Sequence, residues 1–454
     1  MGDSTRLSVL SSLGSPGSGK TALIRHIALQ LESELLYQIV PISKPEDILN
    51  YGDLNRPQIF VIDDVLGVFD LERNLLSDLE RHSEQIENVL DKESKRSKLF
   101  MSCRLAVYNE AKELDVVFFE VDNILNLDSK EHRLTTEDRK GILETHFKIA
   151  GISYAIDSIL LQEKGVLMFP LLCQVFSSDK RIREYGIEFF KYPNKCWISD
   201  IDKIQKRNKL QYLSMVLCML YNNGLSDKML TNKRMLENVC RSCKVEGTPQ
   251  NWEIFEKLSH LKGTYITESD KKYTFIHDSI FEVVAYHYGQ QFPDQILEHM
   301  SSNFIAKRVV LKNTKTGNDI CITLNKSYYE HLAKRLYADV KRGKLHDVFL
   351  NKALRDFDFK QQFLNLLTKA PYEDVKTSFL LPREECFKSI ILDSKIQSKK
   401  GDQDTIGQRE LDRQNLLLDL KCIGRKKIYG IRAISFIIYY GHFDLLKFFY
   451  RFGG

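Results

Sequence analysis

The sequence predicts an α/β domain, built on a parallel sheet with helices on both faces, followed by segments that are mostly helical. In residues 1–127, short apolar runs alternate with segments of helical spacing, which is the pattern of a parallel sheet. Beyond residue 127, apolar residues recur mainly at helical spacing, with few strand-like runs. A length of 454 residues indicates about three domains rather than one core.

A glycine-rich segment, GSPGSGKT, separates the first predicted strand, LSVLSSL, from the first predicted helix, ALIRHIALQLESE. This is the context of a Walker A phosphate loop, whose N–H groups converge on phosphate at the positive end of a helix. We expect Lys20 to reach the β and γ phosphates and Thr21 to bind Mg²⁺ through its hydroxyl. A chance Gly/Ser loop is the alternative, but every motif position is filled: Gly14, Ser15, Pro16, Gly17, Ser18, Gly19, Lys20 and Thr21.

Two acids follow a second predicted strand, IFVI, and complete the site in this interpretation. A phosphate loop needs a carboxylate beside it to hold the metal. We expect Asp63 to serve Mg²⁺, and Asp64 to orient or deprotonate an attacking water. Without the loop, two solvated acids at a strand end would be the simpler interpretation.

The rest of the first domain supplies a candidate phosphate sensor. A long polar helix is predicted over residues 71–92, then a core strand, KLFMSCR, and a further strand over residues 115–121. Arg104 ends the KLFMSCR strand, where it would sense the γ phosphate; a surface arginine is the alternative. Ligands of such sheets bind at the carboxyl ends of the strands, where these residues fall.

With GSPGSGKT, IFVIDDVLG and FMSCR in this order, the chain resembles the STAND class of P-loop NTPases. It is most similar to the animal "novel STAND" group, whose members often carry ankyrin repeats. The resemblance implies ATP or ADP with Mg²⁺ as ligands. It also implies a small helical domain and a winged-helix domain after the NTPase domain.

Two later residues take site roles from the resemblance. In GVLMFPLLCQVFS, Pro170 would pack near the adenine, although the family pattern has glycine where this chain has Met168. In YTFIHDSIFEVVAYHYG, His277 followed by Asp278 would touch the β phosphate of ADP. The alternatives are a proline at an ordinary helix start and a core histidine with Asp278 capping the next helix.

The resemblance and the helical spacing together predict six segments. These are an NTPase domain (1–127), a small helical domain (128–206), a winged-helix domain (207–290), a helical arm (291–390), a polar linker (391–427) and an ankyrin-like repeat start (428–454). A plain helical hairpin is the alternative for the last segment. Because the repeat pattern stops at the chain end, we expect the chain to be part of a longer protein.

The amino-acid composition limits which partners and which cellular compartment can be expected for the protein. The net charge of +5, from 66 basic and 61 acidic residues, gives no case for nucleic-acid binding. Nine scattered cysteines suit a reducing compartment. The apolar stretches are shorter than the roughly 20 residues that span a bilayer, and no secretory signal is visible. We therefore expect a cytoplasmic protein with protein partners at the arm and repeats.

The favoured function is a nucleotide-dependent signalling switch, of the kind used in innate immunity. ADP clamped between the sheet domain and His277 would hold a closed form, and exchange for ATP would release it for self-association. Slow ATP hydrolysis is expected. The alternatives are a nucleotide-binding scaffold without turnover and a small-molecule kinase, which would need an acceptor pocket and a lid with several arginines.

Overall fold

The computed structural model describes residues 8–53, 55–67, 71–90, 97–111, 118–119, 121–152, 168–312, 320–380 and 432–452. The chain divides into two compact units. Unit 1 comprises Met1–Met215 and Asn223–Val283, and unit 2 comprises Val216–Asn222 and Val284–Gly454.

Unit 1 begins with a five-stranded sheet whose order is β2-β3-β4-β1-β5. Its paired strands run parallel, as the sequence predicts. The strands are β1 Val9–Gly14, β2 Gln38–Ile42, β3 Gln58–Ile62, β4 Lys98–Arg104 and β5 Ile124–Asn126. Their carboxyl ends share one edge, since Gly14 pairs with Arg104 and Ile62 with Met101.

Helices cover both faces of this sheet, which confirms the predicted α/β class. They are α1 Lys20–Leu35, α2 Asp47–Tyr51, α3 Arg73–Arg81, α4 Ser83–Leu90 and α5 Leu105–Ala111. On one face, Ile24 and Ala28 of α1 pack with Leu10 and Phe100 of the central strands. On the other face, Leu79, Ile86 and Val107 pack against a separate set of strand residues. Continuous apolar strands such as QIFVI follow from burial on both faces.

Two predicted elements of this domain differ in the structure. The helix expected over residues 71–92 is two helices, because side chains at the junction take helix carbonyls: His82 Nδ1 lies 2.9 Å from Asp78 O, and the Ser83 hydroxyl donates to Glu80 O. Residues 91 and 92 lie outside the described residues. Most of the strand expected over 115–121 also lies outside them; the described strand is Ile124–Asn126, preceded by a 3₁₀ turn, Val121–Asn123.

The remainder of unit 1 is mainly helical. Its helices are α6 Thr136–Ile149, α7 Phe169–Ser178, α8 Lys180–Arg183, α9 Ile187–Lys191, α10 Pro193–Arg207, α11 Lys209–Leu220, α12 Lys233–Ser242, α13 Asn251–Ser259 and α14 Asp278–Gly289, with α11 and α14 continuing into unit 2. An antiparallel hairpin, β6 Ile266–Ser269 and β7 Lys272–Phe275, precedes α14. The winged-helix assignment expected at 207–290 stays a prediction.

A buried polar cluster joins the helices of unit 1 to the loop before β6. The Tyr265 hydroxyl donates to Asp200 Oδ2 at 2.5 Å, and both residues are at most 1% exposed. Arg181 pairs with Asp179 at 2.7 Å and lies 3.7 Å from Asp200. Because each buried polar group here has a partner, the cluster fixes helices α8 and α10 against this loop.

Unit 2 is helical apart from one short pair of strands, in the described residues. Its elements are α15 Pro293–His299, α16 Ser302–Arg308, β8 Val309–Leu311, β9 Ile322–Leu324, α17 Tyr329–Lys341, α18 Leu345–Leu350, α19 Phe357–Lys369, α20 Tyr372–Phe379, α21 Ala433–Tyr439 and α22 Phe443–Phe452. The strand predicted in DICITL is β9, which pairs in parallel with β8. The predicted linker, 391–427, lies outside the described residues.

The last two helices form a pair that turns at Gly441, whose φ is +72°. They pack within unit 2: His442 Nε2 lies 2.8 Å from Phe349 O, and Phe436 stacks on Phe349. That this pair of helices begins an ankyrin array remains a prediction. None of the helices in the described ranges combines the length and the apolar character that crossing a membrane requires.

Candidate nucleotide-binding site

The predicted phosphate loop leaves the carboxyl end of β1 and enters α1 at Lys20. Gly17 and Gly19 have φ values of +71° and +97°, the left-handed region that favours glycine. A Cβ on Gly14 would lie 2.6 Å from Ser18 Oγ and would displace that hydroxyl from the loop. The glycines of the motif are therefore explained by the shape of the loop.

The donor groups of the loop fit a phosphate ligand. The N–H groups of Gly17, Gly19 and Lys20 have no hydrogen-bond partner among the described residues. Ser18 Oγ is buried there without a partner. Unsatisfied donors at a helix N-terminus are what a phosphate oxygen would pair with.

Lys20 lies beside these donors, with its ammonium donating to Ser15 O at 2.9 Å. The side chain is 7% exposed, and this burial lowers the pKa of the Lys20 ammonium. Nearby Asp64 opposes this shift, because its carboxylate favours the charged form of Lys20.

The predicted metal pair is in contact. The Thr21 hydroxyl donates to Asp63, with distances of 2.7 and 2.8 Å to the two carboxylate oxygens. Ser102 of β4 also donates to Asp63, which fixes the carboxylate from the neighbouring strand. A hydroxyl and a carboxylate are ligands that Mg²⁺ accepts when substrate phosphates supply the others. No group of three or more His, Cys, Asp or Glu side chains in the described part of the chain could hold a metal alone.

Asp64 adopts a left-handed backbone, with φ of +46°. Its N–H donates to Ser102 Oγ at 2.9 Å, so one serine holds both acids. Burial raises the pKa of the Asp64 carboxyl, and Arg104, 3.5 Å away, opposes the shift. A raised pKa suits a proton acceptor, but the ion pair occupies the group in this state.

Arg104 is not the surface arginine of the alternative interpretation. Its guanidinium contacts Asp278, the first residue of α14, as well as Asp64. The Arg104 and Asp278 side chains are only 13% and 10% exposed. Burial raises the pKa of Asp278 to about 6, although Arg104 lowers it. The end of β4 is thus tied to a segment remote in sequence.

His277 reaches the loop itself. A Cβ placed on Gly17 would lie 3.3 Å from His277 Nε2, so the ring faces the loop backbone. The Ser279 N–H donates to Nδ1 at 3.1 Å, which leaves the proton of the neutral ring on Nε2. Burial, aided by the cations Arg104 and Lys20, lowers the pKa of His277 to about 3. The ring therefore offers a neutral donor toward the loop.

Helix α7 and the residue before it also lie against the loop. Pro170 lies in its first turn, with Cγ 3.8 Å from a Cβ built on Gly19. Met168, where the family pattern has glycine, has φ of +60°. The conformation is one that glycine favours, and the Met168 Cβ lies 3.0 Å from a Cβ built on Gly17. The structure thus places Pro170 at the loop, while its contact with adenine remains a prediction.

Sequence reasoning missed three residues of this site or their roles. Ser102 and Asp128 were not predicted, and Asp278 was expected beside the ligand rather than paired with Arg104. Asp128 follows β5 and binds the loop at Ser15. The sequence shows only that each of these residues follows or lies in a predicted strand. It does not show which distant residue each side chain contacts.

Comparison with known families addresses the first third of the chain. Residues 6–149 match the family model described as Novel STAND NTPase 3. The match supports a P-loop NTPase of the STAND type. It also confirms, for this segment, the resemblance predicted from GSPGSGKT, IFVIDDVLG and FMSCR, and it supports nucleotide binding.

Other comparisons add little. No curated protein sequence matches the chain. Among solved structures, the chain is similar to the ORC2 protein of Aeropyrum pernix in ADPNP–ADP complexes, at 10% identity, covering 63% of this chain and 89% of that chain with a TM-score of 0.25.

Proposed function

We propose that the protein is a nucleotide-dependent signalling switch that binds ATP and ADP with Mg²⁺. The observation that carries the proposal is the contact of His277 and Asp278 with the phosphate loop and with Arg104. The lids of kinases also close on phosphate sites, but here the segment brings a histidine to the loop and an acid that is paired with Arg104. In a switch, that segment would respond to which nucleotide is bound.

The chemistry of His277 supports ADP as the ligand of the closed form. Its neutral ring directs the Nε2–H toward Gly17, where a phosphate would lie over the loop N–H groups. A neutral donor would bind phosphate without the cost of burying a further charge. ADP would therefore tie the loop to α14 through His277.

The ion pair between Arg104 and Asp278 would distinguish ATP from ADP. Both partners are nearly buried, so removing Arg104 would leave the Asp278 charge uncompensated. The γ phosphate of ATP would compete with Asp278 for Arg104, whereas ADP has no such group. ATP would therefore weaken the docking of α14, and the open form would be free to self-associate.

Hydrolysis, in this proposal, is slow. Bound Mg²⁺ would supply charge neutralisation at the β and γ phosphates, held by Thr21 and Asp63. Asp64 would act as the base, but its contact with Arg104 must first be relieved. A scaffold that binds nucleotide without turnover is the second candidate, favoured by that same contact.

The remaining features follow from the resemblance to the novel STAND group. We propose a cytoplasmic protein of an animal-type group whose arm and ankyrin-type repeats bind protein partners. A role in innate immunity is part of the same proposal, as is the winged-helix assignment at 207–290.

The test is the nucleotide content of the purified protein. Protein from cells should release ADP on acid extraction, at close to one per chain, as measured by ion-exchange chromatography. The Lys20→Ala variant should carry none, whereas Lys44→Ala, an exposed lysine of the same domain, should match the wild type. Loading with a non-hydrolysable ATP analogue should then raise the mass measured by light scattering. Nucleotide-free wild type that also fails to bind added ADP would refute the proposal.

A further inference from the structure

We propose that Asp128 is a positioning residue that fixes the phosphate loop before nucleotide binds. The proposal rests on the nucleotide-binding role of the loop given above. It concerns a contact that no sequence motif of the chain predicts. Ser15, the first residue after Gly14, is hydrogen-bonded to Asp128, which follows the last strand of the sheet.

Asp128 binds Ser15 through two hydrogen bonds that converge on one oxygen. The Ser15 N–H donates to Asp128 Oδ2 at 2.6 Å, and the Ser15 hydroxyl donates to the same atom at 2.7 Å. The two residues are 113 positions apart in sequence. Both bonds have an ionised acceptor, the stronger class of hydrogen bond.

Asp128 is itself held in place by the end of the sheet. Its N–H donates to Asn126 Oδ1 at 3.0 Å, and the Leu127 N–H donates to Leu13 O at 2.9 Å. The Ser129 N–H donates to Asn126 O at 3.1 Å. The Leu127 bond continues the pairing of β5 with β1, and the two bonds to Asn126 form a turn, so Asp128 is anchored to the end of the sheet.

The effect passes through Ser15 to the groups that would bind phosphate. Ser15 O accepts both the Lys20 ammonium at 2.9 Å and the Ser18 N–H at 3.2 Å. Asp128 holds Ser15 at its N–H and its hydroxyl, and so restricts the residue whose carbonyl accepts from Ser18 and Lys20. A loop ordered in advance loses less conformational entropy on binding, so its affinity is higher.

An ordinary turn-capping role would be different. A capping aspartate satisfies N–H groups of its own turn or helix. Here the carboxylate leaves its own turn and accepts from Ser15, in another strand connection, while Asn126 caps the local turn. The function of Asp128 is thus directed at the loop.

The experiment compares wild type with Asp128→Asn, which retains the shape and loses the charge, and with Asp128→Ala. Glu131→Gln is the matched control, an exposed acid of the same connection. Hydrogen exchange of a peptide spanning the loop is measured in nucleotide-free protein, and ADP affinity is measured by calorimetry. We expect loop exchange about tenfold faster and ADP binding about tenfold weaker in Asp128→Asn, larger effects in Asp128→Ala, and no change in Glu131→Gln.

A second arm tests the route through Ser15. In a Ser15→Ala background one of the two bonds is already absent, so Asp128→Asn should weaken ADP binding by a smaller factor than in wild type. Equal factors in the two backgrounds would exclude the Ser15 hydroxyl from this route. The melting temperature of each nucleotide-free variant is recorded, because a general loss of folding would also accelerate exchange in peptides remote from the loop.

The outcomes separate this proposal from the proposed function. Unchanged loop exchange in Asp128→Asn would overturn the positioning role, whether or not the protein binds ADP. If wild type binds ADP, unchanged or tighter binding by Asp128→Asn would also overturn it, the latter by showing that the carboxylate only repels phosphate. If wild type does not bind ADP, the switch fails, and the exchange measurement still decides the role of Asp128.

Discussion

Replacing His277 by a side chain that does not titrate should make the stability of unit 1 less sensitive to acid. The folded pKa of His277 is about 3, because the ring is buried near Arg104 and Lys20, whereas an unfolded histidine has a pKa of about 6.5. Between these values the unfolded chain binds a proton that the folded chain rejects, so stability falls as pH falls. The loss is about 1.4 kcal/mol per pH unit. Relative to that of wild type, the free energy of unfolding of His277→Gln should therefore rise by about 2–3 kcal/mol between pH 7 and pH 4.5.

Neutralising Asp278 should have the opposite effect. Its folded pKa is about 6, raised by burial and by Asp64 and Glu282 against the influence of Arg104, and an unfolded aspartate has a pKa of about 3.9. In this window the folded chain holds the extra proton, so the wild type gains stability as pH falls from about 6 to about 4. Asp278→Asn lacks that gain. Relative to that of wild type, its free energy of unfolding should therefore fall by about 2 kcal/mol between pH 7 and pH 4.5.

The assay is urea unfolding at pH 7.0, 6.0, 5.25 and 4.5, followed by tryptophan fluorescence. The two tryptophans, Trp197 and Trp252, both belong to unit 1, so the signal reports on that unit. His132→Gln, at an exposed histidine, is the control and should parallel wild type. Variants at 277 and 278 that both parallel wild type across this range would refute the burial of these groups at the site.

Three further predictions concern the site and its support. Lys20→Ala should weaken ATP binding by at least about 2 kcal/mol, because a charge-assisted phosphate contact is lost; unchanged affinity by calorimetry would exclude the loop as the phosphate site. Asp64→Asn should retain ATP binding and lose turnover in a phosphate-release assay, and a wild-type rate would remove Asp64 from catalysis. Tyr265→Phe should lower the unfolding free energy of unit 1 by about 1–3 kcal/mol, since Asp200 loses a buried donor; an unchanged urea midpoint would contradict this role.

The parts of the site that are local in sequence could be predicted. The phosphate loop is one continuous motif, and its glycines have the backbone angles that the motif requires. Asp63 and Arg104 follow recognisable strands, and parallel strands end at one edge, so their proximity also follows from the pattern. The prediction that helices cover both faces of the sheet followed from the apolar character of the strands.

The parts that depend on tertiary register could not be predicted. Asp128 binds Ser15 only because β5 pairs beside β1 with a register that brings its end to the loop. The pairing of Arg104 with Asp278 needs α14 to begin against the sheet edge. The break at His82 depends on side chains that compete for helix carbonyls, which helical spacing does not reveal.

The release of ADP tests the central claim most directly, that His277 links the phosphate loop to a distant segment. Wild type and His277→Ala are loaded with a fluorescent ADP, and its displacement by excess ADP is followed by stopped flow, with His132→Ala as the control. The account predicts release at least about tenfold faster from His277→Ala, as expected for losing a hydrogen bond to a charged group worth about 1.5–3 kcal/mol. Equal release rates for the two proteins would show that His277 does not hold the nucleotide, and would contradict the account.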